Sequence, residues 1–253
     1  MSLIDVDLNH RSSLDQVALP TYSTTFSGSA ENPLSEGGVW TTGSPYQPAC
    51  QKGSGVCWGN QTGDEKFIPV YNDSQAFLSG FPHNHGCELT ISLTATPVGD
   101  LEVELLLGAK FGPVRHVGTN PGDAKYNDTD FDGIEINLLQ GKYGILGYVA
   151  RFLDGTDTVD EFSSAFQSHG VHDGDKLRAQ LILNDTTQTG VVTVWMVRAT
   201  TGVVTQIGIT PARSAYYRIG NPGIGFYREN NSPGQQDDPK IFSATAFSAW
   251  GLA

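Results

Sequence analysis

Residues 127–135 read Asn-Asp-Thr-Asp-Phe-Asp-Gly-Ile-Glu and place four carboxylates within nine residues. Asp128, Asp130 and Asp132 alternate, and Gly133 follows. Alternating carboxylates ahead of a glycine turn can wrap a hard cation in oxygen ligands, which makes Asp128, Asp130, Asp132 and Glu135 a candidate calcium site. A helix–loop–helix calcium loop starting at Asp128 would want a bidentate Glu at its twelfth position, and that position is Leu139. Only the loop half of that pattern is present, so Glu135 would have to close it. The plain alternative is a solvated acidic turn, because Asp and Asn side chains bond to nearby backbone amides.

Other residues offer less. His83, His85 and Cys87 alternate ahead of a strand. Imidazole and thiolate are zinc ligands, but no fourth ligand stands nearby, and Pro82 and Gly86 shape a turn. Glu102 and Glu104 share one face of a strand, and Leu105, Leu106 and Leu107 follow where a third acid would be needed. They read as two charges on a solvent-facing strand. Aromatic planes suggest a different chemistry. A sugar ring packs its C–H face on such a plane while flanking polar groups take its hydroxyls. Trp195, Tyr217, Tyr148 and Arg151 are the candidate ligand-binding residues on that criterion, and most other aromatics read as core.

Strands must position these groups. Cys87, Leu89, Ile91 and Leu93 alternate with polar residues, as do Leu101, Val103, Leu105 and Leu107. Ile134, Ile136 and Leu138 repeat the pattern, followed by Leu177 to Leu183 and Val192 to Met196. A period of two with Gly, Pro, Asn and Asp turns between the runs indicates a sandwich or barrel. Around a dozen strands suggest two packed antiparallel sheets. Thr158 to Gln167 is the one stretch that reads as a short helical turn. Residues 1–21 read as an extended arm and residues 22–253 as a single domain, a length within the reach of one all-β unit.

Bulk properties exclude some partners. The net charge of −12 repels a phosphate backbone, so nucleic acid is not expected. No apolar run is long enough to span a bilayer as a helix, so no membrane insertion is expected. The first residues lack a basic region followed by an apolar core, so no classical signal peptide is expected. Of the three cysteines, Cys50 and Cys57 bracket a glycine-rich loop and could form a bridge.

Three ordered segments carry a resemblance. They are Phe26 to Thr41 with its Asn-Pro-Leu turn and Gly-Gly-Val-Trp strand, Asp173-Gly174-Asp175-Lys176-Leu177-Arg178-Ala179, and Gly220-Asn221-Pro222-Gly223-Ile224-Gly225-Phe226. Together they resemble concanavalin A-like lectin/glucanase domains, the jelly-roll class found in phage and bacterial surface proteins. The resemblance implies an all-β, two-sheet antiparallel jelly-roll sandwich with an extended N-terminal arm. It also implies glycan contact as a family habit.

Two functions follow as expectations. The first is a non-enzymatic structural or adhesion module, a virion or surface decoration protein that contacts glycan and forms a homo-oligomer or larger assembly through its arm. The second is a β-glucan-type glycoside hydrolase or lyase. Laminarinase-type members of the fold carry Glu-x-Asp-x-x-Glu, and Asp130-Phe131-Asp132-Gly133-Ile134-Glu135 is similar with Asp in the first place. That resemblance implies Asp130 as nucleophile, Asp132 as its electrostatic partner and Glu135 as acid/base. The shorter Asp disturbs the carboxyl separation of about 5–5.5 Å that retaining chemistry uses.

Overall fold

The computed structural model describes residues 19–42, 49–59, 74–97, 99–111, 131–141, 144–152, 158–229 and 238–252. The alternating runs form two antiparallel sheets, with strands numbered here along the chain. One sheet runs β13 (Val204–Ile209), β12 (Thr189–Val197), β11 (Lys176–Asn184), β6 (His85–Leu93), β15 (Phe242–Gly251), β4 (Val56–Gly59), β3 (Cys50–Gly53), and β1 (Thr21–Thr24) also pairs with β15. The other runs β10 (Thr158–Glu161), β9 (Gly144–Phe152), β8 (Phe131–Gly141), β7 (Asp100–Phe111), β14 (Asn221–Glu229), β5 (Ser74–Phe77), β2 (Thr41–Thr42). The order crosses the sequence repeatedly, as a jelly roll requires: β6 lies between β11 and β15, and β7 lies between β8 and β14.

The core lies between the sheets. Leu89, Ile91, Leu177, Ala179, Leu181, Val192, Val194 and Met196 enter it from the eight-stranded sheet. Val103, Leu105, Leu107, Ile134, Ile136, Leu138 and Ile224 enter from the seven-stranded sheet. These are the residues that alternation selects, and their burial is the main drive to fold. Trp40 is also inward, with its ring 5.1 Å from Phe247 and 5.6 Å from Tyr22. Its indole N–H donates to Glu36 Oε2 at 3.0 Å, which satisfies its one polar atom.

The structure corrects three expectations. The stretch Thr158–Gln167 is not one helical turn. It splits into β10 and a helix, α1 (Ser163–His169), because β10 pairs with β9 and Phe166 is buried behind it. Cys50 and Cys57 are free and buried, since the β3–β4 register sets them opposite Gly59 and Lys52 and not each other. Glu102 and Glu104 are not solvent-facing, being 5% and 0% exposed. Residues 1–18, most of the expected arm, lie outside the described residues. The described chain enters the sheet at Thr21, opposite Trp250.

Candidate functional site

Alternation that turns Val103, Leu105, Ile134, Ile136 and Ile224 into the core turns their neighbours to the other face of the seven-stranded sheet. That face carries a row in register across four strands, Gln75, Gly225, Glu104 and Asn137, in which three residues are polar; the backbone of β9 continues the register at Tyr148. A second row beside it contains Phe77, Gly223, Leu106, Glu135 and Ala150. Glu102 stands on the opposite flank, in register with Tyr227.

The polar groups here are buried and mutually oriented. Gln75, Glu102, Glu104, Glu135 and Asn137 are each 5% exposed or less. Gln75 Nε2 donates to Glu135 Oε1. Asn137 Nδ2 donates to Glu102 Oε2 at 3.1 Å. Gly225 provides the space for Glu104, since a Cβ there would overlap the Glu104 carboxylate. The small residue of the Gly-Ile-Gly motif thus seats an acid contributed by a distant strand. Glu104 lies opposite Asn137, and Glu135 is two residues along β8, so the two glutamates are diagonal cross-strand neighbours. Diagonal positions are about 7–8 Å apart at the backbone, within reach of long side chains.

The sequence-predicted residues are dispersed. Asp128 and Asp130 lie outside the described residues. Asp132 pairs in β8 with Lys110 of β7, three residues before Glu135. Glu135 alone of that set is placed in the polar rows. Among the described residues no group of three or more His, Cys, Asp or Glu side chains could hold a metal ion. Tyr148 pairs with Asn137, and Arg151 with Ile134. Trp195 lies on the other sheet, in register with Arg178 and Gln206. Tyr217 follows a 3-10 turn at Ser214–Tyr216, and its hydroxyl donates to Asp185 Oδ1 at 2.8 Å. That bond raises the Tyr217 pKa above its ordinary value.

Sequence reasoning missed Gln75, Glu102, Glu104 and Asn137 as a group. A signal existed: Glu102-x-Glu104 and Glu135-x-Asn137 are two polar alternations interleaved with Val103, Leu105, Ile134, Ile136 and Leu138. His85 and Cys87 belong to the core side. The His85 ring is fully buried, with Nδ1 donating to the Pro82 carbonyl and Nε2 accepting from the Gly108 amide, each at 3.0 Å. Both nitrogens are engaged, so this imidazole is structural.

Among the described residues no helix is long and apolar enough to cross a membrane. No family model matches the chain, and no curated protein matches it. Solved structures do share its architecture. A glycoside hydrolase family protein from Mycobacterium thermorestibile superposes with a TM-score of 0.50 at 12% identity, over 90% of this chain and 99% of that one. Xylan β-1,4-xylosidase from Bacillus halodurans C-125 gives 0.50 at 9% identity, over 90% of this chain and 38% of that longer one. A legume lectin-like domain from Entamoeba histolytica gives 0.49 at 10% identity, over 87% and 95%. At these identities the likeness is one of fold. With its two antiparallel sheets and crossed strand order, the chain has the concanavalin A-like lectin/glucanase jelly-roll fold.

Proposed function

We propose that this chain is a non-enzymatic, glycan-contacting structural or adhesion module, with the polar rows of its seven-stranded sheet, buried as they stand, as the floor of the sugar site. One observation carries the reading. Three carboxylates and two amides, from Gln75, Glu102, Glu104, Glu135 and Asn137, are held together on the face that is not the intersheet core. Burying polar and charged groups costs free energy, and like charges on neighbouring strands repel. Carboxylates and amides are the groups that accept from and donate to sugar hydroxyls. Two neighbours of the fold are named for glycoside and xylan chemistry, which agrees with a sugar ligand.

A glycan array probed with the wild-type chain and with Glu104→Gln tests the reading. Selective binding that weakens in the variant supports it, and equal signals from both proteins contradict it.

The second reading is a β-glucan-type hydrolase or lyase. Its candidate acids are Asp130, Asp132 and Glu135, and the diagonal pairing of Glu135 with Glu104 adds a carboxylate from a neighbouring strand. Paired carboxyls are what glycoside cleavage requires. Release of reducing ends from β-glucan, lost in Glu135→Gln, would establish it. The finer assignment to a virion or cell-surface decoration protein rests on the sequence resemblance. Assembly through residues 1–21 predicts that deleting residues 1–20 abolishes the oligomer and leaves the domain folded. An arm-deleted chain that still assembles contradicts it.

A further inference from the structure

The outer face of the eight-stranded sheet is chemically unlike the rest of this acidic chain. One register row runs Ser23, Ser248, Glu88, Arg178, Trp195 and Gln206 across six strands. The row beside it holds Trp250, Gly86, Gln180 and Thr193. On the other side Ala246, Thr90, Lys176 and Val197 are aligned.

Two features make this a built surface. Trp250 lies across Gly86, where an added Cβ would come within 2.6 Å of its ring, and the Arg178 guanidinium carbon is 5.9 Å from the Trp250 ring centroid. Glu88 is 8% exposed, and its carboxylate accepts from Lys176 Nζ at 2.9 Å and Arg178 Nε at 2.7 Å. Arg178 Nη2 also lies 2.6 Å from Glu88 Oε2, so the anion occupies the Nε–Nη2 edge of the guanidinium and leaves its Nη1–Nη2 edge and two further N–H donors of the Lys176 ammonium. Across these three rows two cations face one carboxylate. A local surplus of positive charge stands within a chain whose net charge is −12. A cleft of about 470 Å³ on this face, a volume in the range of small-ligand sites, is lined by Ser23, Glu88, Thr90, Lys176 and Ser248 but not by Arg178 or the two tryptophans.

We propose that this face is a second binding site, for an acidic oligosaccharide. Trp195 and Trp250 supply stacking planes on either side of Arg178. Arg178, through its Nη1–Nη2 edge, and Lys176 bind the sugar carboxylate or sulfate, where two parallel N–H groups match a planar carboxylate. The hydroxyls of Ser23, Thr90 and Ser248 take the ring oxygens. The site is separate from the polar rows of the other sheet and does not depend on them.

The test is calorimetric titration of the full chain with a tetragalacturonate and a heparin-derived tetrasaccharide, against a neutral galactose tetramer, at low and high salt. At least one acidic probe binds, binding weakens with salt because exposed charges are screened, and the neutral probe binds at least tenfold more weakly. Trp195→Ala and Arg178→Gln each lose about tenfold or more in affinity, the loss of roughly 1.4 kcal/mol, in chains that circular dichroism shows to be folded. The glycan reading above is tested with neutral oligosaccharides, so failure here is distinguishable from failure of that reading. Equal binding of neutral and acidic probes, no binding of either acidic probe, or wild-type affinity in both outer-face variants overturns the proposal. Dimerisation that buries Trp195 and excludes the probes also overturns it.

Discussion

His85 Nε2 accepts the Gly108 amide proton at 3.0 Å, and so the buried end of β6 holds the bulge of β7. Gly108 needs this support. Its φ is +60°, and an added Cβ would meet Arg218 at 2.7 Å, so the bulge admits no side chain. Accepting at Nε2 while Nδ1 donates to Pro82 requires a neutral ring. Burial lowers the His85 pKa from 6.5 to about 4.

Acid should therefore weaken the fold through this residue. Between pH 6.5 and about 4 the unfolded chain binds a proton at position 85 that the folded chain excludes. Stability from this group is complete above pH 6.5 and is lost as pH falls toward 4. The full difference is about 3 kcal/mol, from 1.36 kcal/mol per pKa unit. Urea unfolding of wild type and His85→Gln across pH 4–7 checks this. The variant should show a shallower slope, and parallel slopes would exclude His85 as the source.

Gly147 and Phe166 form a second coupled pair. A Cβ at Gly147 would overlap the Phe166 ring, which docks α1 against β9. Gly147→Ala should cost about 1–3 kcal/mol by overpacking, and Phe166→Ala about 3–5 kcal/mol by leaving a cavity. The double variant should cost less than the sum, because the methyl fills space the ring vacates. Strict additivity in denaturant titrations would refute the contact.

Asp175 is fully buried at the entry to β11. It accepts from Arg198 Nη1 at 2.6 Å, the Ala199 amide at 2.9 Å and the His172 amide at 3.0 Å. Asp175→Ala leaves Arg198 without this counter-ion and should cost about 3–5 kcal/mol. A melting temperature within a degree of wild type would show that the network contributes nothing.

Gly225→Ala isolates the seat of Glu104. The overlap falls chiefly on the far end of a flexible side chain, so the domain should remain folded while the carboxylate is displaced. Loss of one charge-assisted hydrogen bond, about 1.5–3 kcal/mol, predicts at least a tenfold weaker affinity for the sugar of the seven-stranded sheet. Unchanged affinity would place the ligand elsewhere.

The strands were legible because a period of two is imposed by the pleat. Ile134, Ile136 and Leu138 could be assigned to a core face from their spacing alone. What period two leaves open is whether the opposite face meets water. Glu102 and Glu104 read as solvated for that reason, and their burial depends on packing that no local pattern encodes. Trp250 escaped notice for a related reason. Its neighbours Gly86 and Arg178 come from strands distant in sequence, and only the β15–β6–β11 register brings them together. Trp195 could be read as pointing away from the core because Val194 and Met196 flank it. The split of residues 158–169 into a strand and a helix follows from pairing with β9, a non-local contact that overrides local helical preference.

Calorimetric titration of wild type and Glu104→Gln with neutral β-glucan and xylan oligosaccharides tests the sugar site most directly. Wild type should bind saturably with no new reducing ends in the recovered sugar. The variant should bind about tenfold more weakly at an unchanged melting temperature. Superimposable isotherms for the two proteins, or wild-type sugar cleavage that disappears in the variant, would contradict the proposed function.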